Sequence, residues 1–270
     1  MTAADSFQDC DSAVPAWLGS RTDAASSSVL DACRASGVLL AVSESLTGGL
    51  VSDAFVRIPG ASDVFLGSAV TYDVAAKASV LGVDEGLLAR EGAVRAAVAD
   101  QMATGTARLF GGPHPGTPVI GLSTTGVAGP GPDDRGNPQG LVYVGVFLPE
   151  IFSAPTVPSL AALSALHDDG VLDCGAVRDG ALRDGDNGSP DIGVAASLAY
   201  SRRIPAVSGS SASEAAVSAA ASGKAVPGTE GAGRVDVLEL RCRGSREGIR
   251  RRAVFALLEY VSHLTAPRGE

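Results

Sequence analysis

The sequence predicts an α/β fold: a three-layer α/β/α sandwich around a mixed β-sheet. Three observations predict it. Continuous apolar runs of strand length alternate with segments of helical periodicity. Polar or Gly/Pro residues bound those runs, as they bound buried strands. After the alternation, three strand-like runs come nearly in a row, so a sheet that begins parallel must take antiparallel neighbours.

Each element follows in order. Residues 1–27 are polar and rich in Ser, Ala and Asp, and read as a disordered tail carrying a lone Trp17. Ser28 to Ser36 reads as a short helix and Gly37 to Ser43 as a buried strand. The segment Thr47 to Gly60 reads as a helix ended by Pro59-Gly60, and Asp63 to Tyr72 as a strand rich in β-branched and aromatic residues. Two short helical pieces follow on either side of Gly82. Val94, Val98, Met102 and Leu109 then line one face of a helix over 93–110. Thr117 to Gly126 and Leu141 to Pro149 read as strands around a long Gly/Pro loop.

The composition then changes. Ile151 to Gly233 is roughly half Ala, Gly and Ser, with Phe152 and Tyr200 as its aromatics. Such a segment buries too little apolar surface to offset the entropy of ordering it. Residues 150–233 are therefore predicted to be a low-complexity, largely disordered insertion, with short helices at 160–166 and 214–221. A misread boundary or an extra small module is the rival reading. Arg234 to Cys242 alternates as a strand. Ser245 is placed to cap a final helix, with Glu247 in its first turn. One catalytic domain is expected, built from residues 28–149 and 234–265.

Charge and cysteine usage bound the function. The 270 residues carry a formal charge of −9, which argues against non-specific nucleic-acid binding. A small anion remains admissible, because backbone N–H groups can hold one. The 4 Cys form no CxxC pair and read as reduced thiols rather than a disulfide framework or metal site. The first residues lack a basic leader and an apolar run, and no apolar stretch approaches the ~20 residues that span a bilayer. A soluble, cytoplasmic protein without membrane attachment is expected.

Three segments can carry chemistry. Ser43-Glu44-Ser45-Leu46-Thr47-Gly48-Gly49 lies where a strand gives way to a helix. Its hydroxyls suit a helix cap or a nucleophile, and its glycines open backbone N–H groups to an anion or oxyanion. Tyr72-Asp73-Val74-Ala75-Ala76-Lys77 puts Lys77 one helical turn beyond a strand end. There it is either a solvated surface lysine or, in a dry cleft, a base of lowered pKa. Ser123 to Pro132 leaves a strand into glycines without a Gly-Lys-Ser/Thr phosphate loop, and reads as a ligand wall or an ordinary long turn. No His lies beside these hydroxyls in sequence, so Lys is the economical partner for a Ser nucleophile. Arg250-Arg251-Arg252 reads as a solvated helix face with Glu247 near enough to pair.

Taken together, Glu44 to Gly49, Pro59-Gly60-Ala61-Ser62, Val70-Thr71-Tyr72 with Lys77, Leu81-Gly82-Val83, Gly92-Ala93-Val94 and Thr125 to Pro130 resemble the CinA C-terminal domain family. Ser245-Arg246-Glu247 resembles that family's closing segment. The resemblance implies a nicotinamide-nucleotide amidohydrolase, which converts nicotinamide mononucleotide to nicotinate mononucleotide and ammonia. It implies Ser45 as nucleophile, Lys77 as base and Tyr72 as the residue that positions Lys77. Thr47, Gly48 and Gly49 would hold the oxyanion or the phosphate, and Thr125, Gly126, Ala128 and Gly129 would line the nucleotide pocket. No metal or other cofactor is implied, the partner is a small nucleotide, and relatives commonly self-associate. Phe65 to Ser68, Arg95 and the insertion depart from the family pattern. They leave two alternatives: a nucleotide-binding module without turnover, and a hydrolase of another small amide.

Overall fold

The apolar runs at Leu39–Glu44 (β1) and Val119–Gly126 (β3) pair in parallel, with Leu40 opposite Ile120 and Ser43 opposite Ser123. They are buried on both faces, which is why they read as continuous apolar runs rather than alternating ones. The computed structural model describes residues 16–152, 194–204 and 232–266. Around the central pair, β2 (Phe65–Val70) runs parallel to β1, while β4 (Leu141–Pro149), β6 (Gly233–Cys242) and β5 (Val194–Ile204) extend the other side antiparallel. The sheet order is β2-β1-β3-β4-β6-β5.

Helices α1 (Ala16–Ser36), α2 (Leu50–Val56) and α6 (Arg246–Thr265) cover one face. Val142, Val144, Val146, Leu148, Leu238 and Leu240 alternate along β4 and β6 to meet them. Helices α3 (Val74–Leu81), α4 (Glu85–Glu91) and α5 (Ala96–Gly111) form the opposite layer. There Val235, Val237 and Phe147 pack against Ala99 and Ala103 of α5. Helix α5 lies unusually close to the strands. A Cβ on Gly121 would sit 2.2 Å from the Ala103 carbonyl oxygen, and one on Gly145 would sit 2.5 Å from that of Ala99. Ser123 Oγ also donates to the Ala99 carbonyl at 2.6 Å. The three-layer mixed architecture is the one the sequence predicts.

Two boundaries differ from expectation. Residues 16–27, placed in a disordered tail, form the first half of α1. Leu18, Thr22, Ala25, Ser26, Val29, Leu30 and Cys33 form its buried stripe. Thr22 and Ser26 bury their hydroxyls without penalty by donating to the carbonyls of Leu18 and Thr22 one turn back. Trp17 meets Phe255 of α6 edge to face, 5.9 Å between ring centroids. Likewise residues 194–204, placed within the disordered insertion, form β5 along the free side of β6. Arg202 fixes it there through Nε and Nη2 bonds of 2.7 and 2.6 Å to the Asp100 carboxylate of α5. The short helices expected at 160–166 and 214–221 lie outside the described residues, as do residues 1–15.

Strands β4 and β6 form a hairpin whose open end carries the inserted segment. Pro149 pairs with Gly233, and Glu150 N–H donates to the Ala232 carbonyl at 2.9 Å. At the other end of the sheet, the C-terminal ends of β1, β2 and β3 converge. Ligands of open α/β sheets bind at such strand ends.

Candidate active site

Ser45 follows directly on β1, and Lys77 lies on α3, just after β2. Asp73 caps α3 by accepting from the N–H groups of Ala75 and Ala76 at 2.8 and 3.4 Å. That cap starts the helix where Lys77 turns inward to meet β1. Lys77 is fully buried, and its Nζ lies 3.0 Å from Ser45 Oγ and 2.5 Å from the Thr71 carbonyl oxygen. The surface-lysine reading is thereby replaced by the buried one. Burial pulls the Lys77 pKa down to about 8, with Asp73 opposing the shift. A neutral amine in this position still donates to Thr71 and turns a lone pair toward the Ser45 hydroxyl. That arrangement makes a nucleophile and its base.

Ser45 is itself only 8% exposed. Its N–H donates to the Thr124 carbonyl at 3.0 Å, continuing the β1–β3 ladder one step past the strand. Thr124 and Thr47 join hydroxyls at 2.7 Å beneath it. The turn from Ser45 to α2 needs left-handed backbone at Gly48 and Gly49, with φ of 58° and 102°. The expected donor role of these two glycines is not available. Gly48 N–H donates to the Ser45 carbonyl at 3.2 Å, and Gly49 N–H to Glu44 Oε2 at 2.9 Å. Among the described residues, the N–H groups of Leu46 and Thr47 have no such partner. Leu46 and Thr47, rather than the glycines, therefore leave donors open next to Ser45.

Glu44 closes the start of α2 from inside. Its fully buried carboxylate accepts from Gly49, Val51 and Ser52 N–H at 2.9, 3.1 and 2.9 Å, and from Ser68 Oγ at 3.3 Å. A carboxylate there meets the positive end of the helix dipole. An incoming anion finds those donors taken.

The remaining predicted site residues divide. Tyr72 is 61% exposed, and its hydroxyl accepts from Arg246 Nη2 at 3.1 Å, not from Lys77. Lys77 is held by the neighbouring Thr71 carbonyl instead. Arg246 also donates to the Gly129 carbonyl, which ties the Gly/Pro loop to the rim beside Tyr72. Thr125 is buried and donates to the Ala93 carbonyl at 2.8 Å, so its hydroxyl anchors the start of the α5 layer. Ala128 sits in the core cluster. Gly126 packs so tightly on β4 that a Cβ would lie 2.6 Å from the Leu141 carbonyl oxygen. Thr125, Gly126 and Ala128 thus shape the loop's base, and Gly129 reaches the rim.

Arg250 is the residue that sequence reasoning missed. Its Nε donates to the Leu46 carbonyl at 3.0 Å and Nη2 to that of Thr47 at 2.8 Å, while Nη1 pairs with Glu247 at 2.6 Å. The solvated-face reading of Arg250-Arg251-Arg252 fails for this member: its fork fixes the loop after Ser45 from across the molecule. The Glu247 spacing was a signal for the ion pair and carried none for the loop. A cleft of about 500 Å³, lined by Arg108, His114, Val119, Phe147 and Pro149 among others, opens at the opposite end of the sheet and holds none of these groups.

No three His, Cys, Asp or Glu gather as metal ligands among the described residues, and no helix there is long and apolar enough to cross a membrane.

Comparison with known proteins agrees with the motifs. The model of the CinA C-terminal domain matches residues 22–157. A CinA-like protein of Frankia casuarinae is 47% identical over 111 residues, 41% of this chain and 24% of its own length. One of Myxococcus xanthus is 39% identical over 142 residues, 53% of this chain and 31% of its own. The chain thus spans about a quarter to a third of the length of these relatives. A solved CinA superfamily protein of Klebsiella pneumoniae is 30% identical, with a TM-score of 0.43 over 46% of this chain and 74% of that one. On the family-model match, which takes in both Ser45 and Lys77, the chain belongs to the CinA C-terminal domain family.

Proposed function

We propose that this chain is an amidohydrolase that converts nicotinamide mononucleotide to nicotinate mononucleotide and ammonia. The observation that carries the proposal is the buried Ser45–Lys77 pair at 3.0 Å, with a lysine pKa of about 8. A desolvated lysine beside a serine hydroxyl has one ready use, the removal of that hydroxyl's proton during attack on a carbonyl.

The steps use groups already in place. Ser45 Oγ attacks the carboxamide carbon as its proton passes to Lys77 Nζ. The oxyanion that develops falls to the N–H groups of Leu46 and Thr47, the open donors next to Ser45 in sequence. Lys77 returns the proton to the leaving nitrogen, the C–N bond breaks, and ammonia departs from an ester on Ser45. Water then attacks that ester while Lys77 takes its proton and delivers it to the departing Ser45 Oγ. With the α2 donors occupied by Glu44, the substrate phosphate falls to the exposed Arg246 guanidinium beside Tyr72 and Gly129. Tyr72 thereby serves the substrate rim rather than the base.

The test is ammonia release from nicotinamide mononucleotide, set beside nicotinamide riboside, free nicotinamide and simple aliphatic amides. Release from the mononucleotide above the others is the expected result. Unchanged rates after treatment with a chelator are expected too, because Lys77 supplies the proton transfers. Binding of the mononucleotide without ammonia would replace this reading with that of a binding module.

A further inference from the structure

Strand β2 ends the sheet on one side, with β1 as its neighbour. Thr71 N–H donates to the Glu44 carbonyl at 2.9 Å, and Glu44 stands opposite Val70. In a parallel ladder that pattern turns the N–H and C=O of Val70, and of Ser68 two residues back, away from β1. Among the described residues no strand meets them there. Sheet edges are ordinarily blunted by a charged side chain or a proline. Phe65-Leu66-Gly67-Ser68-Ala69-Val70 has neither. The opposite edge strand, β5, carries Arg202-Arg203.

Exposed apolar side chains gather round the same edge. Seven large hydrophobic residues stand exposed among the described residues, and six of them belong to β2 or to segments against it. Val70, 52% exposed, ends the strand, and Tyr72 follows two residues on. Val74 and Val80 lie on α3, whose Ala78 packs in one cluster with Ala69 of β2. Val56 ends α2 beside Phe55, whose ring centroid lies 5.3 Å from that of Phe65. Leu109 precedes Phe110, whose ring lies 3.4 Å from where a Cβ on Gly67 would stand. Apolar exposure contiguous with an open edge marks an association surface, as singly scattered residues do not.

We propose that β2 is the docking edge for a second copy of this chain, the two β2 strands pairing antiparallel about a two-fold axis. The proposal stands independently of the amidohydrolase reading. A two-fold contact sets each patch against itself, so the patch must tolerate its own copy. The chain carries a formal charge of −9, yet Phe65–Val70 is neutral, so two copies meet there without like-charge repulsion across the strands. Pairing satisfies the outward backbone groups of Ser68 and Val70. Helices α2 and α5 lie on opposite faces of the sheet, so Val56 and Leu109 flank the seam on both faces and leave water with it. A foreign strand would find backbone groups here but no charge in the strand to select it. A second copy brings matching apolar residues on both faces.

Sedimentation equilibrium of the full chain, beside Val70→Lys and Val70→Pro, tests this. The parent is expected to sediment as a closed pair. Val70→Lys places a charge in the seam twice over and is expected to weaken pairing by at least ~100-fold. Val70→Pro removes an N–H that β1 does not use, so it is expected to keep the fold and lose the pair. Amide exchange in the parent needs no substitution, and decides alone if both variants fail to fold. Residues 65–70 are expected to exchange about tenfold more slowly in concentrated, paired protein than in dilute protein, with residues 119–126 unchanged. A parent that stays monomeric at every concentration overturns the proposal. So does a pair that both variants leave intact, or one in which residues 65–70 exchange as fast paired as alone, because either puts the contact on another surface. An open-ended series of sizes overturns it too, in favour of head-to-tail joining of β2 to β5.

Discussion

Lys77 holds the most informative charge in the molecule. Its folded pKa of about 8 lies below its ordinary value of 10.5, because burial disfavours the ammonium. The base must be neutral to accept a proton, so kcat/KM is expected to rise with pH and level off above about pH 8. A flat profile between pH 6.5 and 9 would remove Lys77 from the base role. Stability follows the same shift with a definite sign. Between about pH 8 and 10.5 the unfolded chain binds the proton and the folded one does not, so the Lys77 contribution grows more favourable as pH rises through that window. The span corresponds to about 3 kcal/mol. The melting difference between the parent and Lys77→Met should therefore shift in favour of the parent from pH 7 to pH 10. Arg250 acts at a distance from the chemistry. Arg250→Lys is expected to lower kcat about tenfold, because an ammonium cannot reproduce the fork that spans two carbonyls. Equal turnover in that variant would make Arg250 a surface residue. Ser45 and Lys77 were legible in sequence because Ser45 follows a strand end directly and Lys77 lies one turn into the helix after the next strand. Arg250 was not, because it lies 204 residues from Leu46 and only the fold brings them together.

At the scale of elements, the strands were the clearest reading and the edges of order the least clear. β1 and β3 are buried on both faces and announce themselves as apolar runs. The first half of α1 hides because its buried stripe mixes Leu18, Ala25 and Val29 with Thr22 and Ser26, whose hydroxyls are satisfied locally. β5 hides because its residues resemble the Ala/Gly/Ser-rich segment around them. What marks it as a strand is the partner edge of β6, which no local pattern shows. The Asp100–Arg202 pair joins β5 to α5 with the Asp100 side chain 6% exposed and that of Arg202 48% exposed. Arg202→Ala should speed hydrogen exchange across residues 194–204 while leaving residues 39–49 as protected as before. Exchange unchanged in β5 would show that backbone pairing to β6 suffices to hold it. Glu44→Gln should weaken the start of α2 by about 1–3 kcal/mol, the worth of charge-assisted bonds in a buried site. A melting point equal to the parent's would contradict the internal cap.

For the whole molecule, the inserted segment leaves and re-enters at the open end of the β4–β6 hairpin, and the chemistry sits at the other end of the sheet. The ends of that segment are already joined through Glu150 and Ala232. A Gly/Ser linker replacing residues 153–231 should therefore preserve a cooperative transition and the Ser45 chemistry, at a lower melting point once β6 loses β5. An insoluble variant, or one that melts without cooperativity, would make the segment part of the core. The proposed amidohydrolase activity requires Ser45 as a nucleophile, against the plainer alternative that it is a residue of a helix-starting turn. Kinetics and melting of Ser45→Ala, measured side by side on nicotinamide mononucleotide, separate the two most directly. With Ser45 as the nucleophile, ammonia release is expected to slow by at least ~10³-fold with the melting point almost unmoved, because among the described residues its side chain bonds to Lys77 alone. A variant that keeps kcat within a few-fold of the parent while its melting point drops would contradict it.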